Sequence, residues 1–375
     1  MHFKSFNFKI LKKLIIILSF LFFVSFSFSQ INYKQIKIDT TKTNNLYFKF
    51  NNNNFLKNNE YFNRFNRGET LLGYYFIPQF EYIPLKNVRI NAGAFMLNFS
   101  GKDNLYKFSP FFRFNYQINS NLNLIMGNIY GSRYHKLIEP IFSNDLYLKH
   151  NNEAGLQFLY ISKHLSSDLW CDWEYASLDG DSTREKMTIG NSSKYKFIDT
   201  KKFKISVLYQ MILSHKGGQV NRGSYVQSIF NTAEGLEIKT NLQKLNIGIQ
   251  GFYLTYNDFS PEIHYNYTYG WAIYNKLFLT YSDFKLSGGF WYSEHFIPAK
   301  GDYFFSSKSS YYRNYYEPNR NLITARIEYN KKVAKGFFVN FAYEGYYDNF
   351  NYTYDYFYKL YLIFNREFFI KKVNK

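Results

Sequence analysis

Charged residues of both signs recur in this chain directly after an apolar or aromatic residue. The set consists of Arg89, Arg113, Asp172, Glu174, Arg326, Glu328, Glu344 and Lys359. Along the wall of an aqueous pore, such charges create a transverse field that selects solutes. The alternative is a filled interior in which the same groups pair with one another. A dry core between two sheets would not tolerate them, because an unpaired buried charge is costly.

Strict alternation of apolar and polar residues predicts the elements that carry these charges. In the run from 323 to 329, apolar residues alternate with Thr324, Arg326 and Glu328. The carboxyl-terminal run behaves in the same way and ends near the pair Phe368-Phe369. Its alternating positions are Tyr356, Tyr358, Leu360, Leu362 and Phe364. This period of two, with aromatic residues near the ends, is typical of strands that face lipid on one side.

The connections between these runs alternate in length. Short turns lie near 84–87, 119–121, 163–167, 199–202, 241–244, 281–284 and 331–335, and mostly longer loops lie between them. Outer-membrane barrels have short periplasmic turns and longer outer loops. The sequence therefore predicts an all-β fold, an antiparallel transmembrane β-barrel over residues 44–370. The count is about sixteen strands, with fourteen as the fallback.

The first 29 residues have the three parts of a secretory signal peptide. Lys4, Lys9, Lys12 and Lys13 precede an apolar run from 14 to 24, and small serines follow it. The apolar run is too short to span a bilayer comfortably, which favours cleavage over an anchor. Residues 30–43 are then a periplasmic lead-in. We predict export and location in the outer membrane.

Composition limits the partners of the chain. The formal charge is +18, and four of these charges belong to the leader. No basic helix or nucleic-acid-binding signature accompanies them, so nucleic acid is not predicted as a partner. Outer-membrane lipid and anionic lipopolysaccharide are the expected partners, small solutes are a further candidate class, and protein partners are unknown from the sequence. Cys171 is the one cysteine, which excludes an internal disulfide and a cysteine-based metal site.

The predicted loop 297–320 combines aromatic rings with cations. Its candidate binding residues are Tyr303, Phe305, Tyr311, Tyr312, Arg313 and Tyr315. Such rings could stack on sugars or hold anionic glycans. The alternative, which we favour, is a loop that packs on its neighbours or on the lipopolysaccharide layer.

Other candidate sites are weak. His135, Glu139 and His150 are spaced too widely for a compact metal-ligand motif, and no metal or cofactor is predicted. His215-Lys216-Gly217-Gly218 is interpreted as a hairpin tip, because no helix follows it as in a phosphate-binding loop. No serine and histidine stand together as a nucleophile and base. We therefore predict no catalytic residues.

Several stretches resemble a family of outer-membrane barrels from Bacteroidetes-type bacteria. They are residues 55–62 leading to 73–79, 127–131 with 135–140, 215–219, and the ending 364–372. The resemblance would cover nearly all of the mature chain and implies a barrel in the outer membrane. It implies no established activity and assigns no functional residues.

The functional expectation from sequence is a passive channel or solute-selective porin with a charged lumen, and not an enzyme. One alternative is a non-conducting scaffold for a surface or secretion complex. Another is a lipid-modifying outer-membrane enzyme. A histidine within hydrogen-bond reach of a serine or aspartate at the outer rim would favour the enzyme.

Overall fold

The structure is a computed structural model that describes residues 36–181, 183–218 and 226–373. The predicted signal peptide, residues 1–29, lies outside the described residues. Residues 30–35 of the predicted lead-in lie outside them as well.

Sixteen antiparallel strands form one closed barrel within the described residues. Each strand pairs with its neighbours along the chain, and β1 closes the barrel by pairing with β16. The strands are β1 (Asn45–Glu60), β2 (Glu69–Leu85), β3 (Val88–Phe99), β4 (Lys107–Gln117), β5 (Leu122–Asn128), β6 (Ala154–Ile161), β7 (Leu165–Tyr175), β8 (Lys186–Asp199), β9 (Phe203–Lys216), β10 (Gln227–Leu242), β11 (Leu245–Asp258), β12 (Tyr269–Tyr281), β13 (Phe284–Glu294), β14 (Asn319–Ala334), β15 (Phe337–Asp348) and β16 (Thr353–Lys372). The predicted fold class and the count of sixteen are confirmed.

The alternation in sequence determines which side chains face outward. On β10, Leu236 and Ile238 are 57% and 40% exposed, whereas Ala233 and Glu237 are buried inside the barrel. Successive side chains of a strand point to opposite faces, so the same division continues along each strand. Apolar side chains thus cover much of the outer wall, while the interior receives charged and aromatic groups. In the described part of the chain, no helix is long and apolar enough to cross a membrane.

Two long loops at one end fold into the barrel, and this end is called the outer end. The loop between β5 and β6 contains the helices α1 (Ser132–His135) and α2 (Leu146–Lys149). The loop between β13 and β14 contains a 3₁₀ turn, Tyr303–Phe305. Their apolar residues form three buried clusters with the wall, which together touch strands from β1 to β3, β5 to β7 and β9 to β16. The loops therefore fill the outer part of the lumen.

A short segment before β1 enters the barrel from the opposite end. Ile36 and Ile38 are buried, and a 3₁₀ turn at Thr40–Lys42 connects them to β1. Arg89 and Asn115 donate hydrogen bonds to the carbonyl oxygen of Ile36, at 3.0 and 3.3 Å. A cavity of about 730 Å³ remains beside this segment, lined by both cations and carboxylates.

Candidate functional site

The charged residues predicted to line the lumen do face inward, and most of them have polar partners there. Arg326 Nη1 donates to Glu344 Oε2 at 2.9 Å, and Glu328 forms a second ion pair with the same guanidinium. Arg113 donates to the carbonyl oxygens of Asn128 and Ile129, at 2.6 and 2.9 Å. These contacts match the alternative in which lumen charges hold the interior together.

Three of the four remaining lumen candidates anchor the inward loops or the lead-in, and Lys359 contacts its own strand. Arg89 contacts the Tyr130 hydroxyl as well as Ile36. Asp172 Oδ2 lies 2.8 Å from His150 Nε2, and Glu174 pairs with Lys300. Lys359 lies over the ring of Tyr361, with its ammonium 5.0 Å from the ring centroid.

The aromatic loop candidates divide into a buried part and an exposed part. Phe305 is buried in the barrel, with its ring centroid 5.0 Å from that of Trp291, and Tyr303 begins the same 3₁₀ turn. Tyr311 donates to the carbonyl oxygen of Asn63 at 2.7 Å, whereas Tyr312 is exposed. Arg313 is exposed as well, and Tyr315 is half-buried and donates to Glu317. The structure therefore does not bring these six residues together as one binding face.

A histidine with two carboxylates lies inside the barrel. His135 Nδ1 is 2.9 Å from Asp168 Oδ2, and His135 Nε2 is 2.8 Å from Glu153 Oε2. Burial by itself lowers the pKa of His135, but the two carboxylates outweigh it and raise the pKa to about 9. The ring is fully buried and stacks on Trp170 at 3.5 Å. A group so enclosed cannot meet a bulky substrate, and its geometry is that of a structural anchor.

A different constellation lies at the outer end, on the outside of the wall. His215 Nδ1 is 2.8 Å from Ser228 Oγ, and His215 Nε2 is 3.7 Å from Glu185 Oε1. The first distance is that of a hydrogen bond, and the second is that of a looser ion-pair contact. The side chains of His215 and Glu185 are 23% and 12% exposed. A hydroxyl, an imidazole and a carboxylate in this order are the parts of an activated nucleophile.

Strand register explains how these distant positions meet. His215 and Ser228 are direct cross-strand partners near the facing ends of β9 and β10. His215 lies an even number of residues from Tyr209 on β9, and Ser228 lies an even number from Leu236 on β10. Tyr209 and Leu236 are exposed on the outer face, so the side chains of His215 and Ser228 point outward as well. Side chains of such a pair lie about 5 Å apart at Cβ. Glu185 directly precedes β8, and its carbonyl oxygen accepts a hydrogen bond from Gly217 N at 3.0 Å.

The loop after β11 holds the backbone of the serine. Ser228 N donates to Ser260 Oγ at 3.0 Å, and Phe259 N donates to the carbonyl oxygen of Ser228 at 2.8 Å. Asp258 Oδ1 accepts from Ser260 N at 2.9 Å and from its hydroxyl. Ser228 is thereby fixed on both sides of its Cα, as a positioned nucleophile requires.

Apolar side chains border the site on the outer face. Met187 is the cross-strand partner of His215, and Leu213 pairs with Phe230 one step further down the wall. The Phe230 ring stacks near that of Phe259, with centroids 6.1 Å apart. A hydrolytic centre next to such a surface is suited to a substrate with a hydrocarbon chain.

Sequence reasoning missed this site because its three residues come from three separate segments. His215 was assigned to a hairpin tip, whereas the structure places it inside β9, and Ser228 lies 13 residues further along the chain. The usable signal was the hairpin itself: pairing β9 with β10 in register places His215 opposite Ser228. Among the described residues, no group of three or more His, Cys, Asp or Glu side chains is placed to hold a metal ion.

Comparison with known proteins identifies the family. A family described as lipid A 3'-O-deacylase-type matches residues 38–373, which is most of the chain. The chain belongs to the lipid A 3'-O-deacylase-type family. No protein with a curated description matches it. Membership overturns the sequence-based prediction that the protein is not an enzyme, because this is an enzyme family. The Bacteroidetes-type assignment stays a prediction.

Solved structures agree with this barrel fold at low identity. The outer membrane protein OprD from Pseudomonas aeruginosa is similar, with a TM-score of 0.51 and 10% identity over 92% of this chain and 97% of that chain. OmpT, an outer membrane protein of Vibrio cholerae in a trimer form, has a TM-score of 0.48 and 8% identity, covering 86% and 99%. The match to OprD supports the fold of an outer-membrane barrel for this deacylase-type chain.

Proposed function

We propose that the protein is an outer-membrane hydrolase that removes an ester-linked acyl chain from lipid A. The observation that carries this proposal is the 2.8 Å contact between His215 Nδ1 and Ser228 Oγ on the outer face. The family supports the substrate class, and the apolar border of the site supports an acylated substrate. Both favour the lipid-acting alternative over the porin predicted from sequence.

The chemistry follows from the roles of the three side chains. His215 accepts the proton of Ser228 Oγ as this oxygen attacks the ester carbonyl carbon, which forms a tetrahedral oxyanion. The imidazolium then gives the proton to the departing sugar oxygen, which leaves an acyl-serine. Water, deprotonated by the same imidazole, releases the fatty acid and restores the serine. Ester and water are consumed, and an alcohol and a fatty acid are formed.

Glu185 orients the imidazole and stabilises its positive charge. A neutral imidazole donates from one nitrogen and accepts at the other. With the proton on Nε2 toward Glu185, Nδ1 is free to accept from the serine hydroxyl. The 3.7 Å distance to the carboxylate indicates a weaker contribution than that of the other two residues.

The test measures fatty acid released from purified lipopolysaccharide by the refolded full-length barrel. Ser228→Ala and His215→Gln are expected to lower the rate roughly 1,000-fold or more, because a nucleophile and its base act as a unit. Glu185→Gln is expected to have a smaller effect. The matched control is Ser193→Ala, since Ser193 lies on the outward face of β8 and bonds Ser167 at 2.8 Å. Full activity of folded Ser228→Ala would refute the proposal.

A further inference from the structure

The barrel wall has a notch between β4 and β7 at the outer end. Pairing of β4 with β5 covers only Arg113 to Gln117, and pairing of β6 with β7 ends at Asp172. The outer part of β4 from Lys107 to Phe112 and the end of β7 at Trp173–Tyr175 therefore have no strand between them. The cause is the short β5, which ends at Asn128.

Side-chain amides bridge the notch where the strand ladder is missing. Asn128 Oδ1 accepts from Phe112 N at 2.6 Å, and Asn128 Nδ2 donates to Asn152 Oδ1 at 2.9 Å. Asn152 Nδ2 in turn donates to Ser109 Oγ at 2.9 Å. These bonds leave a polar-floored cavity of about 330 Å³, within the size range of small-ligand sites.

The lining of this cavity changes from apolar to polar across the wall. Phe112 and Trp173, at its outer lips, are 51% and 43% exposed. Lys107 and Ser109 alternate with the exposed residues of β4, so they point inward and line the polar side of the cavity. The wall below the notch is apolar and outward-facing, and Met126 is 61% exposed there. An amphiphile with one polar end and one hydrocarbon tail fits this arrangement.

The charge of the cavity lining determines which polar head group of an amphiphile it binds. Two carboxylates line it, but both have partners: Asp172 accepts from His150 and from Ala154 N, at 2.8 and 2.9 Å. Glu174 pairs with Lys186 at 2.8 Å and with Lys300. With Lys107, three lysines lie in or beside the lining, which exceeds its two carboxylates by one charge. A carboxylate head group can accept hydrogen bonds from an ammonium and from amide groups, and its negative charge strengthens these bonds.

The notch is also continuous with the proposed active site. Trp173 pairs with Met187, Met187 with His215, and His215 with Ser228, in one cross-strand row. Three strand spacings separate Trp173 from Ser228, which is about 14 Å. A fatty acid released at Ser228 thus meets the lip of the notch without leaving the outer face.

We infer that the notch between β4 and β7 is a binding site for a free long-chain fatty acid. Its carboxylate lies in the polar cavity beside Lys107, and its tail lies outside, along Phe112, Trp173 and Met126. As the product site, it rests on the proposed deacylation. Its binding chemistry can be tested without catalysis.

The experiment uses Trp173 as a reporter and 9,10-dibromostearate as a quencher. The full-length protein carries Ser228→Ala to prevent turnover and Trp271→Phe to remove a second tryptophan of the outer wall. Trp170 and Trp291 are buried in the interior. The acid and its methyl ester are compared in phosphatidylcholine vesicles, at a pH at which the acid is ionised. The acid is expected to quench at about tenfold lower mole fraction than the ester, since a charged hydrogen bond distinguishes them.

Matched variants decide the result. Lys107→Gln is expected to remove the preference for the acid, and Ala154→Phe, which fills the cavity, to weaken quenching by it. Lys102→Gln in the exposed loop 100–106 and Ala325→Phe on the outward face of β14 are the controls, and both should keep the preference. Equal quenching by acid and ester, or a preference that survives Lys107→Gln, overturns the inference. Activity that survives Ser228→Ala would instead overturn the proposed function and leave the quenching result standing.

Discussion

At the scale of single residues, the contact between His215 and Ser228 depends on side chains that do not touch a substrate. Ser260 accepts the backbone N–H of Ser228, and Asp258 holds Ser260 in place. We expect Ser260→Ala to lower kcat about tenfold with KM nearly unchanged, because losing one hydrogen bond misplaces the nucleophile without altering lipid contact. Steady-state kinetics on detergent-dispersed lipopolysaccharide measure both values.

Ser260→Thr is the conservative variant for this prediction. It keeps a hydroxyl at the same position, so we expect it to restore most of kcat. A purely structural role would instead lower the amount of folded barrel and leave kcat of the folded fraction unchanged. An equal loss in the Ala and Thr variants would contradict the positioning role.

At the scale of elements, His135 fastens the loop between β5 and β6 to the wall. Its pKa is raised from 6.5 to about 9. Charged His135 therefore stabilises the folded state fully below pH 6.5, and this contribution is lost as pH rises through about 9. We expect His135→Gln to destabilise the barrel by on the order of 2 kcal/mol at pH 6 and by much less at pH 10.

Thermal unfolding followed by gel mobility of the folded and unfolded barrel measures this difference. The quantity compared is the difference in the midpoint temperature of unfolding between wild type and His135→Gln at each pH. The control is His164→Gln, since His164 is exposed beside a turn at the opposite end and contacts Lys196 O at 3.4 Å. A difference that stays constant from pH 6 to pH 10 would contradict the role of the ion pairs.

At the scale of the whole molecule, sixteen strands enclose a lumen wide enough for a channel, yet loops occupy its outer part. Phe296, Phe304 and Phe305 from one loop and Ile141 from the other lie in one buried cluster with wall residues such as Trp291. We expect the wild-type barrel to conduct poorly in planar bilayers. Replacing residues 303–316 by a short Gly-Ser linker should raise the conductance, because Phe304 and Phe305 are removed from the cluster that fills the lumen.

Bilayer recordings on both proteins test this prediction directly. A matched control shortens the exposed loop 100–106, none of whose residues belongs to the three buried clusters. Large open-channel conductance of the wild type would contradict the filled interior and would favour the porin function predicted from the sequence.

Much of the barrel could be predicted because its signal is local. Alternation such as that from 323 to 329 repeats within each strand, and short turns alternate with longer loops, so strand number and faces follow from nearby residues. The inward direction of Arg326 and Glu344 follows from the same parity. Their partners do not, because an ion pair between β14 and β15 depends on the register of two strands.

The sequence by itself determined the closed wall, since a strand with lipid on one side and a polar interior on the other must alternate. Only the tertiary structure decided that two loops enter the lumen and that Glu185, His215 and Ser228 meet on the outer face. The physical reason is that a hydroxyl becomes a nucleophile through contacts of about 3 Å. Such contacts are made between strands by register and loop packing, which the alternation within a single strand does not encode.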